Sequence, residues 1–321
     1  MASAAHPGTL HEYAPRRVAF EFTSSTPEKQ HSLIFIGGLQ DGLCTVPYVP
    51  ALAKALEPTP WSVFQAQLSS SFGGWGTGSL DQDVAEIAQC VEYVRKLQAS
   101  AAPDGKVVIM GHSTGSQDVL HYLYAANPAS RPRPPVHGAI LQAPVSDREA
   151  MLAETRKPGP AGAEARGAFE QLVAQARLES SADENEILPL GLTRKVGLPG
   201  DPISAARFFS LASPDSPAAP AVDDLFSSDL SDERLRETFG VVRTKGLLRS
   251  RLLVLYSGSD EYAAPWADKG ALMERWRLAT EAGQEGAWDG NSAIIAGASH
   301  TVKDEGQAEL VERVSRYLEG I

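Results

Sequence analysis

The chain has few cysteines: Cys44 and Cys90 are the two in its 321 residues. Two thiols cannot build a disulfide framework, and they do not have metal-ligand spacing, so both read as small buried hydrophobes in a reduced compartment. The N-terminal Met1-Ala-Ser-Ala-Ala-His-Pro-Gly8 lacks the positive and apolar regions of a secretory signal. No apolar run is long enough to span a bilayer, which argues against a membrane partner. Together these absences predict a cytoplasmic protein. Positive charge is also in deficit, with 29 Lys and Arg against 40 Asp and Glu and a net charge of −11. A phosphate backbone would be repelled, which argues against a nucleic-acid partner. Neutral or cationic small molecules are easier to accommodate.

What the chain does have is apolar material, 43% by residue, enough for one large α/β domain with an insertion. Residues 1–16 read as an irregular arm. Short apolar runs at 18–22, 33–36, 61–67, 107–110, 138–143, 251–256 and 293–295 read as strands. Helices are predicted at 46–56 and 267–279. Another is capped by Ser79 with Gln82 at the capping-box position, and a last one is capped by Asp304. Alternating strands and helices predict an α/β fold with a mostly parallel central sheet covered on both faces. From about Arg148 to Lys245 the alternation lapses. Residues 151–154 and 163–178 look helical, and 197–222 is rich in Pro, Ser and Ala and contains Phe208, Phe209 and Leu211. The stretch is too long for an ordinary connection. It reads as a helical cap at 148–247, inserted between core segments 1–147 and 248–321.

The chain is organised around residues 107–123. The apolar run Val107–Met110 leads into Gly111-His112-Ser113-Thr114-Gly115, and Val119, Leu120 and Leu123 then recur at helical spacing. Strand, G-x-S-x-G and helix is the setting of a nucleophile elbow, in which a sharp turn presents the serine at the sheet edge. Glycines two residues to either side let strand and helix nearly touch. A serine hydroxyl needs a base within reach, and that base needs an anion to fix its tautomer. Two further strands end in candidates for these roles, Asp260 and His300. All three positions follow strands, so they fall on the carboxyl edge of the sheet, where open α/β sheets place their sites. Of the seven histidines, His6 and His11 lie in the arm, His31 and His137 precede strands, and His121 lies within the elbow helix. His112 is next to Ser113, and neighbouring side chains of a tight turn diverge, which leaves His300. For the acid, Asp260 is favoured over its neighbour Glu261 and over Asp147, which follows an earlier strand. Backbone N–H groups of Leu39 and Thr114 are the candidate oxyanion donors, with Gly38 as the fallback for the first. Asp41 either orients the Gly37–Gly42 loop or meets a cationic group. Trp75 and Tyr262 are candidate pocket-lining residues.

These segments resemble a known family, the fungal serine hydrolases that cleave ester-linked hydroxamate siderophores. The likeness is carried by Phe35-Ile-Gly-Gly-Leu39 with Asp41-Gly42, by Gly74-Trp-Gly-Thr77 before Ser79-Leu80, and by Gly111-His-Ser-Thr-Gly115. It continues through Ser257-Gly-Ser-Asp-Glu-Tyr262 to Ser299-His300. The resemblance implies an α/β-hydrolase fold, with Ser113 as nucleophile, Asp260 as acid and His300 as base. It implies hydrolysis of fusarinine-type esters inside the cell, in the service of iron release, with no metal or organic cofactor. The proline-rich stretch 199–220 of the cap matches nothing in that pattern. Two other functions are compatible with the same residues: ligand binding at a vestigial site, against which the intact Ser–Asp–His order argues, and acyl transfer.

Overall fold

The structure, a computed structural model, describes residues 5–23, 29–99, 102–179 and 186–321. Its centre is an eight-stranded sheet in the order β1-β2-β4-β3-β5-β6-β7-β8. β1 (Gly8–Ala14) and β2 (Arg17–Phe22) form an antiparallel hairpin, and β2 pairs antiparallel with β4 (Trp61–Gln67). Every other pairing is parallel, through β3 (His31–Ile36), β5 (Val107–His112), β6 (Gly138–Gln142), β7 (Leu252–Ser257) and β8 (Ala293–Ile295). β5, β6 and β7 are buried along their whole length, as strands with helices on both faces must be.

Period-2 alternation splits the apolar side chains between two layers. Val107 and Ile109 face α2 (Leu80–Ala99), α3 (Thr114–Tyr124) and α9 (Lys269–Gly283), while Val108 and Met110 face α1 (Val49–Ala55) and α10 (Gln307–Glu319). Ser79 caps α2 as the sequence predicts, its Oγ accepting from the Gln82 amide at 3.2 Å.

Three expectations are corrected. The supposed irregular arm contains β1, an edge strand whose sequence GTLHEYA buries only Tyr13 and so shows no apolar alternation. Asp304 does not cap α10; Gly306 does, at φ 82°, a left-handed conformation that glycine adopts without strain. Cys90 is buried as expected, but Cys44 is exposed.

Between β6 and β7 lie α4 (Asp147–Thr155), α5 (Gly159–Glu179), α6 (Leu190–Thr193), α7 (Ala205–Ala212) and α8 (Asp232–Thr238). This stretch divides in its packing. Met151, Leu172, Val196, Ile203, Phe208 and Leu211 form an apolar cluster of their own, which Trp75 joins. Leu225, Phe226, Leu235 and Phe239 pack into the main core instead, where Trp276 stacks on Phe239 and Tyr256.

Candidate active site

β5 ends at His112 and α3 begins at Thr114, so the turn between them is the single residue Ser113, at φ 54° and ψ −123°. A non-glycine residue in that region costs about 1–3 kcal/mol and persists only where its surroundings enforce it. The flanking glycines show what enforces it. A Cβ on Gly111 would lie 2.0 Å from the Gly115 carbonyl oxygen, and one on Gly115 would lie 2.5 Å from the Ile36 oxygen. The Ser113 amide donates to the Gln142 carbonyl at 2.9 Å, tying the turn to the neighbouring strand. Its Oγ makes no hydrogen bond among the described residues and is free to meet a ligand.

The loop after β8 brings His300 over the sheet edge. Its Nδ1 lies 2.8 and 2.9 Å from the two carboxylate oxygens of Asp260, which follows β7. Both residues are 6% exposed, so the pair is shielded from screening by solvent. Asp260 also accepts from the Tyr262 amide at 3.0 Å. The two alternative acids have other partners: Glu261 accepts from the His300 backbone amide at 2.8 Å, and Asp147 accepts from Gln117 Nε2 at 2.9 Å. Tyr262 sets its ring edge against His300, with centroids 4.8 Å apart.

After β3 the chain turns sharply. Asp41 donates its amide to the Gly38 carbonyl at 3.0 Å and accepts through its side chain from the Gly38 amide at 2.8 Å and the Thr45 hydroxyl at 2.9 Å. Asp41 therefore orients this loop. The Gly38 amide is committed to it, whereas those of Leu39 and Thr114 meet no acceptor among the described residues. Gly38 has a steric role instead, since a Cβ there would come within 2.7 Å of Ser113 Cβ and 2.9 Å of the His112 oxygen.

Sequence reasoning passed over His112. Its ring lies 4.8 Å from that of His300, its Nδ1 is 2.5 Å from Gln142 Oε1, and its Nε2 is 3.7 Å from Asp41 Oδ2. The Tyr48 hydroxyl donates to the same Gln142 oxygen. Burial, and then the neighbouring His300, push the His112 pKa down to about 4, so it is neutral at pH 7 and its approach to Asp41 is not an ion pair. The strand alternation held a signal for it: His112 follows Val108 and Met110 at period two, onto the face where the His300 loop lies.

Ser113, His300, His112, Leu39 and Tyr262 line one cavity of about 230 Å³, which Met151, Glu154 and Leu198 from the stretch between β6 and β7 also line. Trp75 does not line it. It is 1% exposed in the apolar cluster formed with Met151, Leu172 and Phe208, and its Nε1 donates to Asp201 Oδ2 at 3.0 Å. Gln40 donates to the same oxygen at 2.7 Å, so Asp201 joins the two glycine-rich loops to the stretch between β6 and β7. Among the described residues no group of three or more His, Cys, Asp or Glu side chains is arranged to hold a metal ion. No described helix is long and apolar enough to cross a membrane.

Comparison with known proteins places this geometry. Residues 1–319 match the family described as "Protein of unknown function (DUF1749)". The chain is 48% identical over 344 residues to Fusarinine C esterase sidJ of Aspergillus fumigatus, covering 98% of this chain and 96% of that protein. It is 46% identical over 345 residues to Esterase AN6793 of Emericella nidulans, covering 97% and 92%. It also matches the solved structure of the siderophore hydrolase EstB from Aspergillus fumigatus at TM-score 0.91 and 47% identity, over 100% of this chain and 99% of that one.

Proposed function

This chain belongs to the DUF1749 family and is an ester-hydrolysing enzyme of the α/β-hydrolase fold, and on that premise we propose that Ser113, His300 and Asp260 are its catalytic triad and that its substrate is an ester-linked hydroxamate siderophore of the fusarinine type. The observation that carries the catalytic part is the pairing of His300 Nδ1 with Asp260 at 2.8 Å, in the same cavity as a serine held in a strained turn.

Ser113 Oγ attacks the ester carbonyl while His300 Nε2 takes its proton, and the bond to Asp260 fixes the tautomer and stabilises the imidazolium. Substrate binding draws Oγ and Nε2 together, since such contacts are often loose in the free enzyme. The negative charge on the carbonyl oxygen is received by the free amides of Leu39 and Thr114, the latter at the positive end of α3. The tetrahedral intermediate collapses, His300 returns the proton to the leaving alcohol, and the acyl group stays on Ser113. Water, deprotonated by His300, then attacks the acyl-enzyme and releases the carboxylic acid. The chemistry uses no group beyond these side chains and amides. Residues 148–247 act as a cap, which meets the cavity through α4 and the segment 196–199.

The substrate class is supported by the printed names of relatives that align along nearly the whole chain, a fusarinine C esterase and a siderophore hydrolase. We place the activity inside the cell, in the cytoplasm, where opening the siderophore esters would help release iron. The test is incubation of the purified protein with fusarinine C, with products followed by mass spectrometry. Linear and monomeric acids should appear with the wild type and be absent with Ser113→Ala. Intact fusarinine C after incubation with enzyme that still cleaves simple esters would remove the siderophore from the proposal.

A further inference from the structure

The amino edge of the sheet, at the end away from Ser113, carries a cluster of positive charge that the proposed chemistry does not use. Lys106 stands just before β5, and His137 just before β6. A parallel bridge between Val136 and Leu248 sets Arg249, on the approach to β7, beside His137. The Arg249 amide donates to the Val136 carbonyl at 2.9 Å, which fixes that placement. Arg95 reaches the same place from the C-terminal part of α2. The four side chains line one cavity of about 420 Å³, and Asp104, which is exposed, is the one carboxylate among the described residues that lines it too. Acids outnumber bases in this chain, and Arg251, two residues beyond Arg249, is paired with Asp289 at 2.9 Å. Arg95 and Arg249 make no ion pair among the described residues. Arg95 donates to the Pro135 carbonyl, and Lys106 Nζ donates to the Ile321 oxygen at 2.7 Å.

The state of His137 shows what these cations lack. The Val107 amide donates to its Nδ1 at 3.0 Å, so the neutral ring carries its proton on Nε2. Burial, and then Arg249, Arg95 and Lys106, push the His137 pKa down to about 4, so the ring is neutral at pH 7. Burial, and then Arg249, lower the Arg95 pKa as well. Nε2–H of His137 therefore faces Arg249 Nη1 at 3.4 Å, donor against donor. Neither N–H reaches a protein acceptor among the described residues. An anionic oxygen set between them accepts from both and offsets the repulsion among the surrounding cations.

We propose that this cavity is a binding site for a phosphate group, free or as a monoester, whose oxygens accept from Arg249 and from Nε2–H of His137 and are faced by Arg95 and Lys106. The donors approach from three neighbouring strand ends and a helix, which fits a tetrahedral set of oxygens better than a planar carboxylate. A nucleic-acid strand is disfavoured by the net charge of −11, whereas a single phosphate meets chiefly the local field. The six residues of β5, about 20 Å of extended chain, separate the site from Ser113, and the inference does not rest on the ester reading.

The test is titration calorimetry of the full chain at pH 7 and low ionic strength, with inorganic phosphate and with glycerol 3-phosphate. The wild type should bind at least one of the two with a Kd at or below about 1 mM. Arg249→Gln, at an exposed position, should weaken that binding at least about tenfold, the scale of a charge-assisted hydrogen bond. Arg277→Gln, which alters an arginine paired with Glu274 on α9, should leave it unchanged. Tighter binding of the ester would support the site as one for a phosphorylated metabolite, and tighter or equal binding of inorganic phosphate would support it as one for the free ion. No binding of either probe by the wild type at about 10 mM overturns the proposal, and that result does not depend on how any variant folds. Binding that survives Arg249→Gln, or that Arg277→Gln weakens as much, overturns it as well.

Discussion

Ser113 has close neighbours that leave little room for change. Gly38→Ala would put a methyl group 2.7 Å from Ser113 Cβ and 2.9 Å from the His112 carbonyl oxygen, neither of which can swing aside. A misplacement of the nucleophile by less than an ångström suffices to lower kcat, so we predict a loss of about 100-fold with folding retained. Steady-state kinetics beside a thermal melt would separate the two effects, and a kcat near wild type would contradict the geometry. Asp260→Asn keeps the shape of the acid but lets His300 take the wrong tautomer; the predicted loss in kcat is about 10⁴-fold, by analogy with other serine hydrolases. His112 supplies a pH prediction. Its pKa of about 4 in the fold lies below the ordinary histidine value of 6.5, so the unfolded chain binds the extra proton first. Stability is therefore lost as pH falls from about 6.5 toward 4, and His112→Gln should flatten that slope. Melting temperatures at pH 7 and pH 5 would show it, and identical slopes would mean that His112 is not the buried neutral base described above. Ser113 was legible from the sequence because its motif is local. For His112 the period-two pattern of β5 gave the face but not the partners, which come from β6, from Tyr48 just before α1 and from the loops after β3 and β8.

At the scale of elements, α7 is tied by a buried polar contact to Asp223, in the segment between α7 and α8, whose carbonyl also accepts from Gln117 on α3. Arg207 on α7 donates to Asp223 at 2.6 Å and to the Trp75 carbonyl at 3.2 Å, with both charged groups 3% exposed. Asp83 on α2 and Asp118 on α3 lie in the same field; burial raises both their pKa values, that of Asp83 to about 7, and Arg207 pulls both back. Arg207→Met removes the one cation among the described residues that these carboxylates share. It should cost about 3–5 kcal/mol in urea unfolding, as loss of one partner from a buried pair does. Adding Asp223→Asn should recover part of that loss. A cost below about 1 kcal/mol, typical of a surface pair, would contradict the burial of this contact. Elements were legible in proportion to their apolar pattern. β3, β5, β6 and β7 are continuous apolar runs because both faces of the sheet are covered. β1 lies at an edge with mostly exposed side chains and offered no such run. The start of α10 was misassigned because a left-handed glycine at position 306, rather than the side chain of Asp304, ends the preceding turn.

Across the whole molecule, three loops from the carboxyl ends of β5, β7 and β8 converge on one cavity although they are far apart in the chain. Strand order and hand of connection do this, which is why the order Ser113, Asp260, His300 could be read along the sequence before any distance was known. The interior of the stretch between β6 and β7 could not be read in this way. Its cluster is drawn from α4, α5, α7 and the segments between them, with Trp75 reaching in from the core, and no single period links those residues. The carboxylates in the cavity agree in sign with the net charge of −11, and both favour a neutral or cationic ligand over an anionic one. The central claim is an activated serine at position 113. It is tested most directly by reacting the folded protein with a fluorophosphonate probe and mapping the modified peptide. The account predicts labelling at Ser113 that is lost in His300→Ala. Labelling at another serine, or labelling of Ser113 that persists at the same rate without His300, would contradict it.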